Sequence, residues 1–382
     1  EQGLRKAGLD ALGMSSSVEA SLAVLRTVRF EVGPIRPPSE GGSHSLLLRF
    51  TRNCPWSKCA FCYGLPYDRK PFQVRLLDEI KADIDSVELA LMELRQLSRE
   101  LGFKGEVDSR LASAILSLDP SLAFNPWLSL VFNWAMTGCR TAFIQDADTP
   151  IMRTDRLVEA LSYLRSKFPS LERVTSYARA KTIYRKSLEE LKELRRAGLT
   201  RLHVGLESGD DEVLRYVNKG VTAEEHVEAG RKALEAGFEL SEYVMPGLGG
   251  ADRWREHAVN TARVLNQINP HYIRVRSLVP RKGTPLYEDY VAGRFKLLSP
   301  HGYLKEIRLF VEHLDVDSRL SFDHYCNPSY RTRVGAVPVF SQDHEGYKLP
   351  DEKEEVLKAV DRALEIDESR FIRAEDLAEA VL

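Results

Sequence analysis

Three cysteines within nine residues, in Cys54-Pro55-Trp56-Ser57-Lys58-Cys59-Ala60-Phe61-Cys62, form the densest group of metal-ligating side chains in the chain. Thiolates with this spacing can wrap one face of a compact metal centre, and soft sulfur selects zinc or an iron–sulfur cluster. Three ligands instead of four leave one metal position open to a reactant, as in sites that do chemistry. The alternative is a structural zinc ion with His44, Cys139 or Cys326 as fourth ligand, because short cysteine motifs serve both metals.

Other residues capable of chemistry stand at the ends of short apolar runs. Gln145-Asp146-Ala147-Asp148, Ser176-Tyr177-Ala178-Arg179, Glu207-Ser208-Gly209, Met245-Pro246-Gly247 and Pro280-Arg281-Lys282-Gly283-Thr284-Pro285 each follow such a run, as the cysteine loop does. The runs cover residues 45–50, 141–145, 173–177, 201–206, 238–244 and 272–278, too short for helices and rich in β-formers. Between them, 73–101, 155–167, 187–197, 223–236 and 254–267 carry helical periodicity, with a capping box in Ser187 and Glu190 and helix-ending glycines at 198 and 237. Strand–helix alternation builds a parallel sheet by right-handed crossovers, either a six-stranded open barrel or a doubly wound sheet. In both, the carboxyl ends of the strands carry the active site, and every chemical cluster falls there. The spacing therefore predicts an enzyme with one composite site.

Residues 102–140 are too long for a simple connection, and 111–118 and 127–136 read as a helical pair near the barrel rim. Residues 33–42 read as an extended arm, 300–314 and 351–367 as helices, and 315–350 as irregular chain. The expected division is an N-terminal helix and arm (1–43), a barrel (44–287) and a C-terminal extension capping it (288–382). A net charge of −2 argues against a general nucleic-acid partner. No apolar run approaches bilayer length, the N-terminus lacks the apolar core of a signal peptide, and clustered thiols suit a reducing cytoplasm.

The cysteine loop resembles that of the radical S-adenosylmethionine (SAM) superfamily, with Phe61 at the aromatic position before the last cysteine and a first spacing one residue longer than the common form. Gly198-Leu199-Thr200-Arg201, Gly205-Leu206-Glu207-Ser208-Gly209, Lys219-Gly220, Met245-Pro246-Gly247-Leu248 and Gly283-Thr284-Pro285-Leu286 follow in order. They resemble the barrel of oxygen-independent coproporphyrinogen oxidases, tRNA methylthiotransferases and Elongator-type subunits. The resemblance implies a partial (β/α)6 TIM-like barrel with a helical insertion and a mostly helical C-terminal extension. It also implies a [4Fe–4S] cluster on Cys54, Cys59 and Cys62, and SAM cleaved reductively to a 5′-deoxyadenosyl radical that abstracts hydrogen from a small molecule. An external electron donor such as flavodoxin or ferredoxin would supply the electron. By the same resemblance Asp146 meets the methionine amino group, Arg179 its carboxylate, and Glu207 or Ser208 the ribose. Phe61, Met245 and Leu278 then border the adenine. In the irregular stretch, His324 or Tyr325 is expected to face substrate, with residues 320–322 as an edge strand. An RNA-modifying enzyme of the same superfamily and a zinc-stabilised interaction protein remain the alternatives.

Overall fold

A computed structural model of the protein describes residues 16–40, 45–62 and 70–378. The six apolar runs are strands: β1 (Ser45–Arg49), β2 (Thr141–Gln145), β3 (Arg173–Ala178), β4 (Arg201–Glu207), β5 (Glu239–Val244) and β6 (Tyr272–Val275). Each pairs in parallel with the next. The sheet then grows to eight strands through β7 (Arg319–Ser321), parallel to β6, and β8 (Tyr347–Lys348), antiparallel to β7. The expected edge strand is thus real but paired on both sides. The short β8 and the hairpin of Ser329–Thr332 with Gly335–Pro338 arise where the sequence reads as irregular. Strands of two to four residues are too short to display alternation.

Helices α1 (Ser16–Thr27) and α2 (Leu77–Glu100) precede the insertion, which is α3 (Ser109–Leu118) and α4 (Pro126–Met136). On α2, Ile80, Ile84, Val87, Leu91 and Leu94 recur at helical spacing and are buried. The insertion is helical as expected, but α4 packs on α2 and β1, and Trp134 Nε1–H donates to the Thr141 carbonyl at 2.8 Å. Thr141 begins β2, so the insertion braces the amino-terminal edge of the sheet, opposite the chemical clusters. Helices α5 (Thr154–Lys167), α6 (Ala180–Arg185), α7 (Leu188–Arg196), α8 (Asp211–Tyr216), α9 (Ala223–Glu235) and α10 (Gly250–Ile268) supply the crossovers. The Ser187–Glu190 capping box at the start of α7 is present in both directions. Beyond β6, α11 (Pro285–Val291), α12 (Pro300–His313) and α13 (Lys353–Leu364) follow, with α12 between α10 and α13.

The period-two geometry of a strand decides what the sheet encloses. In β4, Leu202, Val204 and Leu206 join the apolar core, while His203, Gly205 and Glu207 line an inner cavity. Tyr177 and Arg179 at the end of β3, Tyr243 and Met245 at the end of β5, and Arg276 and Leu278 after β6 face the same cavity. So do Cys54, in the loop after β1, and His324, after β7. Side chains from both ends of the sheet meet there, so the sheet curls into a partial barrel. Its interior holds Arg, His, Glu and Tyr where a closed barrel stacks branched apolar layers.

The N-terminal arm closes the lower interior. Gln145 fixes it by accepting from the Gly33 N–H at 2.7 Å and donating to the Ile35 carbonyl at 2.8 Å. Glu40, fully buried, accepts from Ser45 Oγ at 2.7 Å and Thr175 Oγ1 at 2.9 Å, with Arg173 at 3.3 Å and Arg201 at 3.6 Å. Against burial, which raises it, His203 and Arg173 beside it hold the Glu40 carboxyl at about 2.

Candidate active site

The cysteine loop leaves β1 through backbone that few residues tolerate. Asn53 (φ 67°) and Ser57 (φ 48°) are left-handed, as are Asp146 (φ 72°) and Glu207 (φ 62°) at neighbouring strand ends. Strained non-glycine conformations gathered at one edge mark a built site, because packing must hold them there. Three contacts hold the loop: the Ala60 N–H donates to the Val217 carbonyl at 2.8 Å, the Leu286 N–H to the Ala60 carbonyl at 3.0 Å, and Trp56 Nε1–H to the Asn218 carbonyl at 2.7 Å.

Asp146 takes a different place from the one the resemblance implies. It is fully buried and off the cavity wall, and its Oδ2 accepts from Arg49 Nε at 2.7 Å and from the Asn53 N–H at 2.7 Å. The left-handed turn after β2 points its carboxylate at β1, one residue before Cys54. Asp146→Ala is expected to cost about 1.5–3 kcal/mol, the range for hydrogen bonds to a charged group, and to lower iron bound per chain. Denaturant unfolding and iron analysis check both; unchanged iron would show that the loop does not depend on this carboxylate.

Cys54, Cys59 and Cys62 all line the mouth of the cavity. Burial pushes the Cys59 thiol up, with Lys219 opposing, and pushes Cys62 up to about 12. Metal binding at such thiols releases protons and offsets the burial of the thiolates it creates. Among the described residues no group of three His, Cys, Asp or Glu side chains gathers closely enough for a single ion. A cluster gives each thiolate its own iron, so the three sulfurs need not meet at one point. The donor set, thiols alone on an enclosed wall, fits such a cluster. Cys139 is buried in the apolar core, away from the cavity, whereas Cys326 lines the far wall; His44 lies outside the described residues.

Behind the loop, Lys219 Nζ lies 3.0 Å from Glu207 Oε1, and Glu207 keeps the buried ammonium charged against its desolvation. The pair needs Gly205 opposite: a Cβ there would stand 2.3 Å from Glu207 Oε1 and 2.9 Å from Lys219 Nζ. Arg179 donates to the Lys219 carbonyl at 3.0 Å and stacks 5.1 Å over Trp56. Its backbone N–H donates to Asp148 at 3.1 Å; Asp148 also accepts from Thr182 Oγ1 at 2.6 Å, and burial lifts it to about 6. Phe61 packs against a small apolar cluster containing Met245 and Leu278, so the three expected adenine neighbours adjoin one another. Ser208 is fully buried off the wall, its Oγ accepting from the Asp210 N–H at 3.0 Å.

On the far wall, His324 lines the cavity and burial drives its imidazole down to about 3. Tyr325 turns away from that wall to hydrogen-bond the Arg281 guanidinium. Lys219 and Arg281, noted above only within motifs, also line the cavity, as do His203, Tyr243 and Arg276, which the sequence reading did not single out. Most of them were signalled by polar residues alternating with apolar ones, as in Arg201-Leu202-His203-Val204 and Arg274-Val275-Arg276. Alternation separates two faces, but β4 and β6 are buried on both, so the pattern alone does not say which face looks inward.

Fold and site together define a parallel-sheet protein with a cysteine-loop site at the carboxyl edge of a partial barrel. The model of the Radical SAM superfamily matches residues 134–262. An uncharacterised protein of Methanocaldococcus jannaschii is 27% identical over 113 residues, 30% of this chain and 34% of its own length. A tRNA uridine(34) acetyltransferase of the same organism is 25% identical over 28% of this chain and 20% of its own length. Elongator complex protein 3 of Homo sapiens is 31% identical over 27% and 19%. The chain thus spans about a third or less of the length of these curated relatives. Solved structures with a similar chain path include Methanocaldococcus infernus Elp3 (17% identity, 66% of this chain and 61% of that one, TM-score 0.45). The coproporphyrinogen III oxidase HemN of Escherichia coli is another (15%, 86% and 65%, TM-score 0.44). The expectation that nucleic acid is no partner draws no support from relatives with such names. Among the described residues no helix is long and apolar enough to cross a membrane.

Proposed function

We propose that this protein is a radical SAM enzyme of the reducing cytoplasm. In this reading Cys54, Cys59 and Cys62 hold a [4Fe–4S] cluster, and a small molecule gives up hydrogen in the cavity beside it. The observation that carries the reading is the convergence of three thiols, Arg179, Glu207 and the apolar trio on one cavity. When bound, the cluster and SAM supply one-electron chemistry and the hydrogen-abstracting radical. The chain supplies the rest. Arg179, steadied by Trp56 and Asp148, presents a planar fork suited to a carboxylate. Glu207, oriented by Lys219, accepts from ribose hydroxyls. Phe61, Met245 and Leu278 give an apolar surface for adenine and keep water from the reacting carbon.

A second reading, with RNA as substrate, is favoured by the tRNA uridine(34) acetyltransferases among the relatives. The experiment is anaerobic reconstitution, reduction by dithionite or flavodoxin, and measurement of 5′-deoxyadenosine. Deuterium from labelled cell metabolites is expected in that product. Deuterium arriving only from labelled RNA would establish the second reading, and no 5′-deoxyadenosine under any reductant would remove both.

A further inference from the structure

We infer that helix α12 of the C-terminal extension positions the nucleoside half of SAM, through Tyr303 and Glu306 on that helix and His257 on α10. None of the three lines the cavity, so each acts through backbone that does. The inference rests on the function proposed above, which gives Glu207 to the ribose and Met245 and Leu278 to the adenine.

Residues three apart on a helix share a face, so Tyr303 and Glu306 reach the strand ends together. Both are buried, and α12 packs on α10, which carries the buried His257. Glu306 Oε2 accepts from the Gly247 N–H at 2.8 Å, and its Oε1 lies 2.5 Å from His257 Nδ1. His257 Nε2 lies 3.3 Å from the Glu207 carbonyl, which also accepts from the Met245 N–H at 3.0 Å. These contacts close a ring that ties the end of β4 to the turn after β5. Tyr303 completes the brace. Its hydroxyl donates to the Leu278 carbonyl at 3.0 Å, and the Leu278 N–H donates to the Pro246 carbonyl at 2.8 Å. Gly247 is left-handed at φ 90°, and a Cβ there would collide with the Tyr303 ring, so the turn is built to receive α12.

The hydrogens in the ring give Glu306 a directing role. A carbonyl only accepts, so His257 Nε2 must carry a hydrogen to bond Glu207. If Glu306 is ionised, Nδ1 donates to it and the ring is an imidazolium; if Glu306 is protonated, its hydroxyl donates to Nδ1. In both states the Glu306 carboxyl makes Nε2 the donor. The bond matters because Glu207 is left-handed at φ 62°, a conformation that persists only while its surroundings hold it. Holding its carbonyl fixes where its carboxylate points. The methionine side is held by other elements: Arg179 has the Lys219 carbonyl, Asp148 and Trp56 as partners. Loss of the brace should therefore be felt at the nucleoside alone.

The test uses reconstituted full-length holoenzyme under anaerobic conditions. Equilibrium dialysis measures Kd for SAM and for 5′-deoxyadenosine, and electron paramagnetic resonance records the reduced cluster at saturating SAM. Glu306→Met should raise both Kd values about tenfold, as loss of a hydrogen bond to a charged group requires. Glu306→Gln should keep most of the affinity, because its carbonyl can accept from Gly247 while its amide donates to Nδ1. A charge pair of structural value alone would be broken by both substitutions. Tyr303→Phe, which removes one hydroxyl, should raise both values about fivefold, and it decides the matter if Glu306→Met does not fold. Iron per chain and the spectrum at saturation should match the wild type in every variant. Wild-type affinity in Tyr303→Phe, equal losses in Glu306→Gln and Glu306→Met, or an altered spectrum overturns the inference. A wild-type protein that holds its cluster but binds no SAM would instead overturn the proposed function.

Discussion

Replacing Cys59 with alanine is expected to abolish the cluster and, with it, all reductive cleavage of SAM. In the proposed assignment Cys59 is the middle ligand of the loop, and it lines the cavity with Cys54 and Cys62. Two thiolates cannot hold three irons, so iron and sulfide per chain should fall to background and the charge-transfer absorbance should vanish. The loop itself should survive, since backbone bonds at Ala60 and the Trp56–Asn218 contact hold it without metal. Cys139→Ala supplies the control, because Cys139 sits in the apolar core on the other edge of the sheet. Normal cluster content in Cys59→Ala, or loss of cluster in Cys139→Ala, would refute the ligand assignment.

The largest stability effect is expected at Glu40, remote from the cysteine loop. Its carboxylate sits between Arg173 and Arg201 with no access to water. Removing one partner of a buried charge group leaves the others uncompensated, so Glu40→Ala should cost about 3–5 kcal/mol. Glu239, 2.7 Å from Arg201, keeps the loss from being larger. Glu40→Gln should cost less, because the amide still accepts from Ser45 and Thr175. The pH dependence has a definite sign. A carboxyl held at about 2 against an ordinary 4.5 stabilises the fold fully above 4.5 and loses that contribution as pH falls toward 2. Denaturant midpoints should therefore drop more steeply between pH 5 and 3 in the wild type than in Glu40→Gln. Parallel curves would mean that Glu40 does not hold this charge group together.

The two sites differ in how much the sequence shows of them. Cys54, Cys59 and Cys62 are adjacent in the chain, so their shared chemistry is visible as spacing. Glu40 meets Thr175 and Arg201 across more than a hundred residues, and nothing near Glu40 announces a buried ion group. The crossover helices and all six main strands were legible because periodicity and caps are local properties of the backbone. The insertion was legible as helices but not in its location, since the Trp134–Thr141 contact that anchors it is tertiary.

At the cavity the same division holds residue by residue. Arg179, Glu207 and Met245 lie at the ends of parallel strands, so their positions at the carboxyl edge come directly from order along the chain. Asp146 occupies an equivalent position in sequence yet is held off the wall by tertiary partners, the Arg49 guanidinium and the Asn53 N–H. Tyr325 follows His324 immediately but leaves the wall, since consecutive residues in a turn diverge. Sequence by itself determined the strand–helix order, the edge that bears chemistry and the three-thiol loop, all set by local spacing and backbone hydrogen bonding. Only the tertiary structure decided which polar residues look inward, because that depends on the curl of the sheet and on turns whose φ angles the residue types do not dictate. It alone brought Lys219 to Glu207 and placed Arg276, Arg281 and His324 across the cavity from the cysteines.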